Sequence, residues 1–428
     1  MEEKGCMFTS NPRKRYYAMT RFVFSIIAIV ISAFPLATSI RASEVSADAV
    51  HVKPKEGFIF NKDAGLQYVK GDFKWTTWAY AERAFTDETD YWRRVRQGME
   101  FDFPRFSSEI SGSQYRPVFV YEVDFTDTDF FRASERYSIW ENLYVALQDA
   151  EDPSKFRFVF GENTHILSRE DNLSSGNLTT INRSLILEEL GTARNFGTQF
   201  GAQLQTAITS KTLLQVSLQD NRGSLNTDEP RYNVLNDFAA RVNYALTDNA
   251  QTTRKLDFGF AIDYTRDVGE RDFTLLSAIN QTPLGSLRAA GGKFTMDVNA
   301  DFESILFGRP CLLEFETIYS HYADSGLDAV GGYVQGQYSI FDSKRLGELV
   351  PFARYDLSHI SADGRVTQQA IRTGINFNLP FTWKRVNLHL EYAKNILSGP
   401  DRILTSGDRD CDEFAIMLRI STTPYTRF

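Results

Sequence analysis

The chain has 428 residues, with 47 basic and 55 acidic side chains and a formal net charge of −8. An acidic protein repels nucleic acid, and the five His and three Cys form no CxxC motif and no His pair at helical spacing, so the sequence predicts no metal site and no cofactor. Length alone permits two or three domains. No linker or composition break divides the sequence, which favours one large domain.

The N-terminus predicts export. A positive start, with Arg21 shortly after Met19, is followed by a short apolar segment at 22–33 and then by small residues up to Ala42. This is the form of a secretory signal peptide, and the apolar segment is too short for a convincing transmembrane helix. We therefore interpret 1–42 as leader and signal peptide, with Met19 as an alternative start.

Beyond the leader, apolar and polar residues alternate with a period of two, which indicates β-strands. Phe258 and Phe260, for example, alternate with the polar register that contains Asp257 and Asp263. We divide the exported chain into a short periplasmic segment at 43–72 and a β-barrel domain at 73–428. The sixteen predicted strands are 73–85, 94–103, 119–125, 138–149, 154–162, 194–208, 211–220, 236–247, 255–264, 294–302, 311–322, 328–342, 349–359, 366–378, 385–392 and 413–428.

The connections between these strands sort by length. Connections after even strands are short, such as 209–210, whereas several after odd strands are long and polar, such as 163–193 and 266–290. The last strand ends in an aromatic, Phe428. An even strand count, this loop asymmetry and a terminal aromatic together predict an all-β fold, a transmembrane antiparallel β-barrel of about sixteen strands in the bacterial outer membrane. A lumen of that size is wide enough for water.

Six short motifs occur in order between residues 92 and 197, and their order and spacing resemble the phosphate-selective porin O and P family. The resemblance implies a trimeric sixteen-stranded porin whose third extracellular loop folds into the lumen and forms the constriction. The motifs are Trp92-Arg-Arg-Val-Arg96, Glu141-Asn-Leu-Tyr-Val-Ala-Leu147, Phe158-Val-Phe-Gly161, Leu173-Ser-Ser-Gly-Asn-Leu-Thr179, Asn182-Arg-Ser-Leu185 and Arg194-Asn-Phe-Gly197.

The sequence departs from that family where solute preference is decided. Strongly phosphate-selective members line the constriction with basic residues, notably lysines, but 161–193 contains no Lys. Independently of the resemblance, the predicted strands leave 163–193 as the longest connection, and we expect it to fold inward. The predicted pore-lining and constriction residues are Arg94, Arg96, Arg116, Arg157, Glu170, Asp171, Arg183, Arg372, Arg385 and Arg419.

Two interpretations of these charges stay open. In the first, an acidic inward loop faces an arginine wall and creates a transverse field that discriminates ions. In the second, the charges form local salt bridges that contribute little to selectivity.

The sequence predicts a porin, a water-filled channel for passive diffusion of small hydrophilic solutes and ions, with anions such as phosphate as candidates. The alternatives are a non-transporting barrel, such as an adhesin or scaffold, and a secreted soluble β-sandwich binding protein. We predict no enzyme, because His359 and His389 are isolated and no Ser/His/Asp set has plausible spacing. The expected partners are membrane lipid, the assembly machinery through Phe428, two further copies of the chain in a homotrimer, and small solutes or anions, but no nucleic acid.

Overall fold

A computed structural model describes most of the chain from Glu56 onward. The leader and signal peptide, and the predicted terminal aromatic Phe428, lie outside the described residues. The described residues are 56–61, 65–86, 90–107, 113–125, 140–173, 178–192, 198–220, 235–246, 254–343, 345–362, 364–380, 382, 384–404 and 410–422.

Within the described residues, sixteen strands form one closed antiparallel barrel. Each barrel strand pairs with the next along the chain, and the last, β22 (Asp410–Ser421), pairs with the first, β3 (Phe73–Thr86). Closure leaves no exposed sheet edge, as lipid requires. The barrel strands are β3 (Phe73–Thr86), β4 (Asp90–Asp102), β6 (Gln114–Asp124), β7 (Trp140–Asp149), β8 (Phe156–Thr164), β9 (Thr198–Thr209), β10 (Thr212–Asp220), β11 (Asp237–Ala245), β12 (Arg254–Thr265), β15 (Lys293–Leu306), β16 (Arg309–Tyr322), β17 (Leu327–Tyr338), β19 (Gly347–Ser361), β20 (Arg365–Asn378), β21 (Val386–Ser398) and β22 (Asp410–Ser421).

The other elements are short and lie before the barrel or in its connections. The hairpin of β1 and β2 precedes the barrel, and β2 pairs with the first residues of β3. These elements are β1 (Gly57–Asn61), β2 (Gly65–Lys70), β5 (Phe106–Ser107), β13 (Glu270–Leu276), β14 (Pro283–Ala290), β18 (Phe341–Ser343), α1 (Arg169–Asn172) and α2 (Leu185–Thr192).

The two faces of the barrel differ in chemistry. On β16, Leu313 and Phe315 point outward and are exposed, whereas Glu314 and Glu316 point inward and are buried. The same alternation holds on β12, where Phe258 and Phe260 are outward and exposed. The exposed apolar belt is the face that contacts lipid. The predicted fold class, an antiparallel barrel of sixteen strands, is confirmed. Among the described residues, no helix is long and apolar enough to cross a membrane.

Several strand ends differ from the predicted ones. The predicted strand 328–342 is interrupted, because β17 ends at Tyr338 and residues 341–343 form β18, which pairs with β19. The predicted strand 194–208 is observed as β9 from Thr198, and 194–197 lie outside the described residues. In 328–342 the period-two pattern continues past the point where the chain changes direction, so the pattern alone does not mark the end of β17.

Two long connections pack against inward-facing wall residues. We call the described residues between β8 and β9 (165–173 and 178–192) the inward loop, and 266–292, between β12 and β15, the hairpin loop. Their apolar side chains and inward residues of the wall form a buried core inside the barrel, beside α2. Its members are Ile186, Leu187, Leu190, Val268, Phe273, Leu275, Leu284, Leu287, Ala289, Ile318, Tyr322, Leu327, Ala329, Ile360, Val366 and Leu397.

Candidate functional site

The inward loop is fixed where it leaves β8. The Nδ1 atom of His165 accepts a hydrogen bond from the backbone N–H of Leu167 (3.3 Å), so its Nε2–H is the group that faces Asp237 Oδ1 at 3.3 Å. Neighbouring Asp263 forms an ion pair with Lys293 (2.6 Å), and all of these charged or ionisable side chains are fully buried. The first turn of the loop is therefore held by groups on β11, β12 and β15.

Among the described residues, His165, Asp237 and Asp263 are close enough together to bind one metal ion, with ligand atoms within 4.8 Å of one another. Lys293, however, already places an ammonium group against Asp263. A cation is thus supplied by the protein itself, and the cluster acts as a buried charge network that fastens the loop.

A wall carboxylate caps the first helix of the loop. Glu316 on β16 accepts hydrogen bonds from Ser168 Oγ (2.9 Å), the Arg169 N–H (2.7 Å) and the Glu170 N–H (3.2 Å). Ser168 also caps α1 by accepting from the Asp171 N–H (3.1 Å). Both contacts satisfy N–H groups that a helix N-terminus leaves without an intrahelical partner.

The carboxylate of Glu170 lies in a buried ion pair with Arg354 on β19. The Nη1 atom is 2.6 Å from Oε1 and Nη2 is 3.3 Å from Oε2, and the Ser184 N–H donates to Oε2 at 2.8 Å. Burial by itself raises the pKa of Glu170, but Arg354 and the hydrogen bonds outweigh it and lower the pKa to about 2. Arg354 also bonds Asp356 (2.9 Å), so one guanidinium joins the loop to the wall.

The segment 178–184 crosses the inner face of β20 and β21. Arg372 donates to the carbonyl oxygens of Asn182 and Arg183, both at 3.1 Å, while its Nε lies 2.6 Å from Glu391. Glu391 in turn accepts from the Ile181 N–H at 2.7 Å. The wall therefore satisfies backbone groups of a loop that has no regular structure here, as buried backbone requires.

The second helix joins the wall to the hairpin loop. Glu189 on α2 is fully buried and accepts a hydrogen bond from Ser358 on β19. Burial raises the pKa of Glu189 to about 8, and nearby Asp356 adds to the shift. Beyond α2, the hairpin loop is bound through Ile279 and Asn280, whose N–H groups donate to Glu413 at 2.9 and 3.0 Å.

These contacts divide the inner surface into two walls. The packed wall, β15–β17 and β19–β22, has inward charged residues that are almost fully buried under the two loops. The open wall, β4 and β6–β11, keeps many inward side chains half-buried. These half-buried residues include Arg94, Glu100, Arg116, Glu122, Asn142, Tyr144, Arg157, Gln203, Gln205, Gln215 and Asn243.

The charges on the open wall lie close to opposite charges. Arg96 lies 2.7 Å from Asp124 and 3.1 Å from Glu122, and it also contacts Glu141. Arg94 approaches the carboxylates of Asp124 and Glu141 at 4.0 and 3.8 Å. This geometry matches the second sequence interpretation, in which lumenal charges form local pairs.

The remaining predicted site residues are placed as follows. Asp171 and Arg183 meet each other within the inward loop at 3.3 Å. Arg116 lies 3.7 Å from Asp102, and Arg419 lies 2.6 Å from Glu82.

Two more predicted arginines and one acidic residue complete the set. Arg157 donates to the Tyr144 hydroxyl at 2.9 Å, and Arg385, just before β21, is half-buried. Glu170 lies against Arg354 of the packed wall rather than against the arginines of β4, β6 and β8.

Sequence reasoning missed two features of this site. The first is the capping role of Glu316. The second is the inward packing of the hairpin loop, which was predicted only as a long polar connection. Phe273, Leu275 and Leu287 are the signal that could have revealed it, because large apolar residues at alternate positions in an exposed loop need a surface to cover them.

The closed barrel, its apolar belt and its loop-lined lumen define the class by fold: the chain has the fold of a sixteen-stranded outer-membrane porin, and its apolar belt is that of a barrel of the bacterial outer membrane. The chain is similar to outer-membrane expressed OmpT of Vibrio cholerae, with 10% identity, coverage of 83% of this chain and 99% of that chain, and a TM-score of 0.52. The chain is also similar to in-vitro folded OmpT from the same organism, in a trimer form, with 9% identity, coverage of 82% of this chain and 99% of that chain, and a TM-score of 0.51.

The outer membrane channel DcaP of Acinetobacter baumannii is similar in fold as well, with 13% identity, coverage of 82% of this chain and 98% of that chain, and a TM-score of 0.50. No protein-family model and no curated protein matches the sequence. At these identities the likeness establishes the general porin fold alone. The resemblance to the phosphate-selective porin O and P family stays a prediction from the sequence motifs.

Proposed function

We propose that the barrel is an open, water-filled channel through which small hydrophilic solutes and ions diffuse passively. One observation carries this proposal: the open wall keeps Arg94, Asn142, Arg157 and Gln205 half-buried, whereas equivalent inward residues of the packed wall are covered. Polar side chains along one side of a barrel, left uncovered by the loops, favour an eccentric passage filled with water.

A second candidate is a barrel that does not transport. The buried core of the inward loop and the hairpin loop favours it, because this core occupies lumen that a wide pore leaves empty. Single-channel recording in a planar bilayer separates the two candidates. An open passage conducts as soon as the protein inserts, whereas a silent barrel that is shown to be inserted would rule out the channel.

The ion preference follows from charges that are mixed and mutually close. On the open wall, Arg96 lies against Glu122 and Asp124, and Arg116 lies near Asp102. We propose a weak preference that depends on salt, with phosphate as one of several permeant anions. Reversal potentials in chloride and phosphate gradients test this directly.

We also propose that the chain assembles as a homotrimer in outer-membrane lipid. The trimer form of OmpT, a barrel of similar fold, supports this proposal. We further propose that the assembly machinery recognises the terminal Phe428. Deleting Phe428 should lower the yield of inserted protein, and chemical cross-linking in the membrane should give a trimer band.

A further inference from the structure

A small cavity lies against the open wall, beside the start of the inward loop. Its volume is about 290 Å³, near the lower end of the range for small-molecule pockets. Residues from β7 to β10 and from the loop line it. The polar side chains of this lining include Asn142, Tyr144, Arg157, Gln203, Gln205 and Gln215.

Side-chain amides form a hydrogen-bonded row along this wall. Gln205 and Gln215 are direct cross-strand partners, and Gln215 Nε2 donates to Gln205 Oε1 at 3.1 Å. Asn243 Nδ2 donates to Gln215 Oε1 at 3.2 Å, and Arg241 Nε donates to Asn243 Oδ1 at 2.9 Å. Each bond fixes the orientation of the next amide, so the row is preorganised before a solute arrives.

The row keeps hydrogen-bonding capacity for a solute. A primary amide carries two N–H donors and an oxygen with two lone pairs. Gln215 donates to Gln205 and accepts from Asn243, and Gln205 accepts from Gln215 and donates to the Pro153 carbonyl at 3.5 Å, so these bonds leave one donor and one lone pair on each Gln. Both side chains are half-buried and border the cavity. Alternating donors and acceptors of this kind match hydroxyl groups, which both donate and accept.

The cavity has little free charge. Among its described lining residues, none is Asp or Glu, and Arg157 is the one ionic side chain. Its guanidinium donates to the Tyr144 hydroxyl at 2.9 Å and lies 5.7 Å from the centre of the Tyr144 ring. The Arg157 guanidinium therefore already interacts with Tyr144. Most of the hydrogen-bonding groups that line the cavity are neutral.

We propose that this amide-lined cavity is a weak binding site for a neutral polyhydroxylated solute of about monosaccharide size. The proposal rests on the channel function proposed above and names a solute class for it. The preorganised amides bind the hydroxyl groups and hold the solute next to the passage, as weak sites on a permeation path do.

The test is current blocking by glucose through the full-length protein in a planar bilayer. Glucose added at increasing concentration should produce brief, concentration-dependent current interruptions. In the double variant Gln205→Leu and Gln215→Leu, the half-blocking concentration should rise about three- to tenfold, because a few hydrogen bonds to the solute are lost. The matched control is Gln148→Leu, a half-buried Gln on β7 that does not line the cavity, and its half-blocking concentration should equal that of the wild type.

The outcomes separate the two proposals. A wild-type protein that inserts but does not conduct overturns the channel and the site together. Conductance without glucose block, or block that survives in the double variant, overturns the site alone. Block by phosphate in place of glucose, abolished by Arg157→Gln, identifies an anion site instead. Circular dichroism and heat resistance check that the variants are folded, and Gln215→Met, closer in length to Gln, replaces the double variant if it does not insert.

Discussion

The packed wall and the open wall share one barrel and one alternation of side chains, yet their inner faces behave differently. On the packed wall, Arg354 and Arg372 bind the inward loop and are buried. On the open wall, Arg94 and Arg116 face carboxylates of nearby strands and keep partial exposure. The difference lies in the loops that cover one wall and leave the other, and it turns equivalent positions into structural anchors on one side and candidate pore lining on the other.

The comparison also explains why polar residues sit in a packed interior. An apolar inner wall would offer no partners for the carbonyl and N–H groups of a loop without regular structure. Arg372, Glu391 and Asn376 supply those partners to residues 179–183. The polar side chains of the packed wall therefore satisfy the backbone hydrogen bonds of the loop, as a neighbouring strand does in a sheet.

The largest expected effect is the contrast between Arg354→Ala and Arg94→Ala. Removing Arg354 leaves Glu170 buried without its guanidinium, which costs about 3–5 kcal/mol, whereas Asp356 keeps Arg372 at 3.7 Å. Removing Arg94, whose carboxylate partners lie 3.8 and 4.0 Å away, costs about 0–1 kcal/mol. Urea unfolding in lipid vesicles measures both, and equal losses would show that the two walls are not different in kind.

The next effect concerns the buried core of the loops. Leu190→Ala creates a cavity where α2 meets the hairpin loop, which costs about 2–5 kcal/mol of loop docking. Hydrogen exchange at α2 should accelerate accordingly. Leu204→Ala, on the outward face of β9, is the control and should leave that exchange rate unchanged. An exchange rate at α2 that is the same in Leu190→Ala as in the wild type would mean that the core does not hold the loop.

The third effect is a pH dependence of the inward loop where it lies on the packed wall. Glu189 has a pKa of about 8 in the folded protein, against about 4.3 when exposed. The folded state therefore binds more protons between these values, so loop docking is fully stabilised below about pH 4 and loses that stability as pH rises to about 8. The protection of the α2 amides, which is the intrinsic exchange rate at each pH divided by the measured rate, should fall over this window.

Glu189→Gln tests the assignment, because an amide keeps a group that can bond Ser358 and does not titrate. The pH dependence at α2 should flatten in this variant. A window that persists unchanged would assign the proton to a different group, such as neighbouring Asp356.

The smallest effect is on ion preference at the open wall. Glu141 lies 3.8 Å from Arg94 and also contacts Arg96, so Glu141→Gln leaves two guanidinium groups less compensated. We expect the reversal potential in a low-salt gradient to shift toward anions. The shift should shrink as salt rises from 0.1 to 1 M, where the Debye length falls from about 10 to about 3 Å. An unchanged potential at low salt would place these residues away from the ion path.

The sequence was sufficient to predict the strands and which of their faces meets lipid. Phe258 and Phe260 against Asp257 and Asp263 define a register that only one orientation satisfies, because a charge facing lipid is costly. The end of β17 was not predictable in this way. The chain turns at Ser339 while apolar residues continue through Ile340 and Phe341, so the pattern carried on where the strand did not.

The inward direction of the wall side chains was predictable from the alternation, but their partners were not. Arg372 and Arg183 were predicted near the constriction, and the structure brings Arg372 to the Arg183 carbonyl. Alternation shows that Arg354 faces inward, yet nothing local shows that Glu170, 184 positions away, would be its partner. Such pairs depend on the path of the loop through the lumen, which tertiary packing decides, and whether the predicted residues form the narrowest section stays a prediction.

The seam of the barrel has a consequence for how the protein comes together. Two segments from opposite ends of the chain share one edge of β3: β2 pairs with residues 73–77, and β22 pairs with residues 80–86. The bond between Ala79 and Thr422 joins residues 343 positions apart. Contacts that close such long stretches of chain form slowly, so we expect the seam to be the last junction to form. Until then β3 and β22 each have an open edge, and an assembling chain must be shielded from its neighbours for as long as that edge is free.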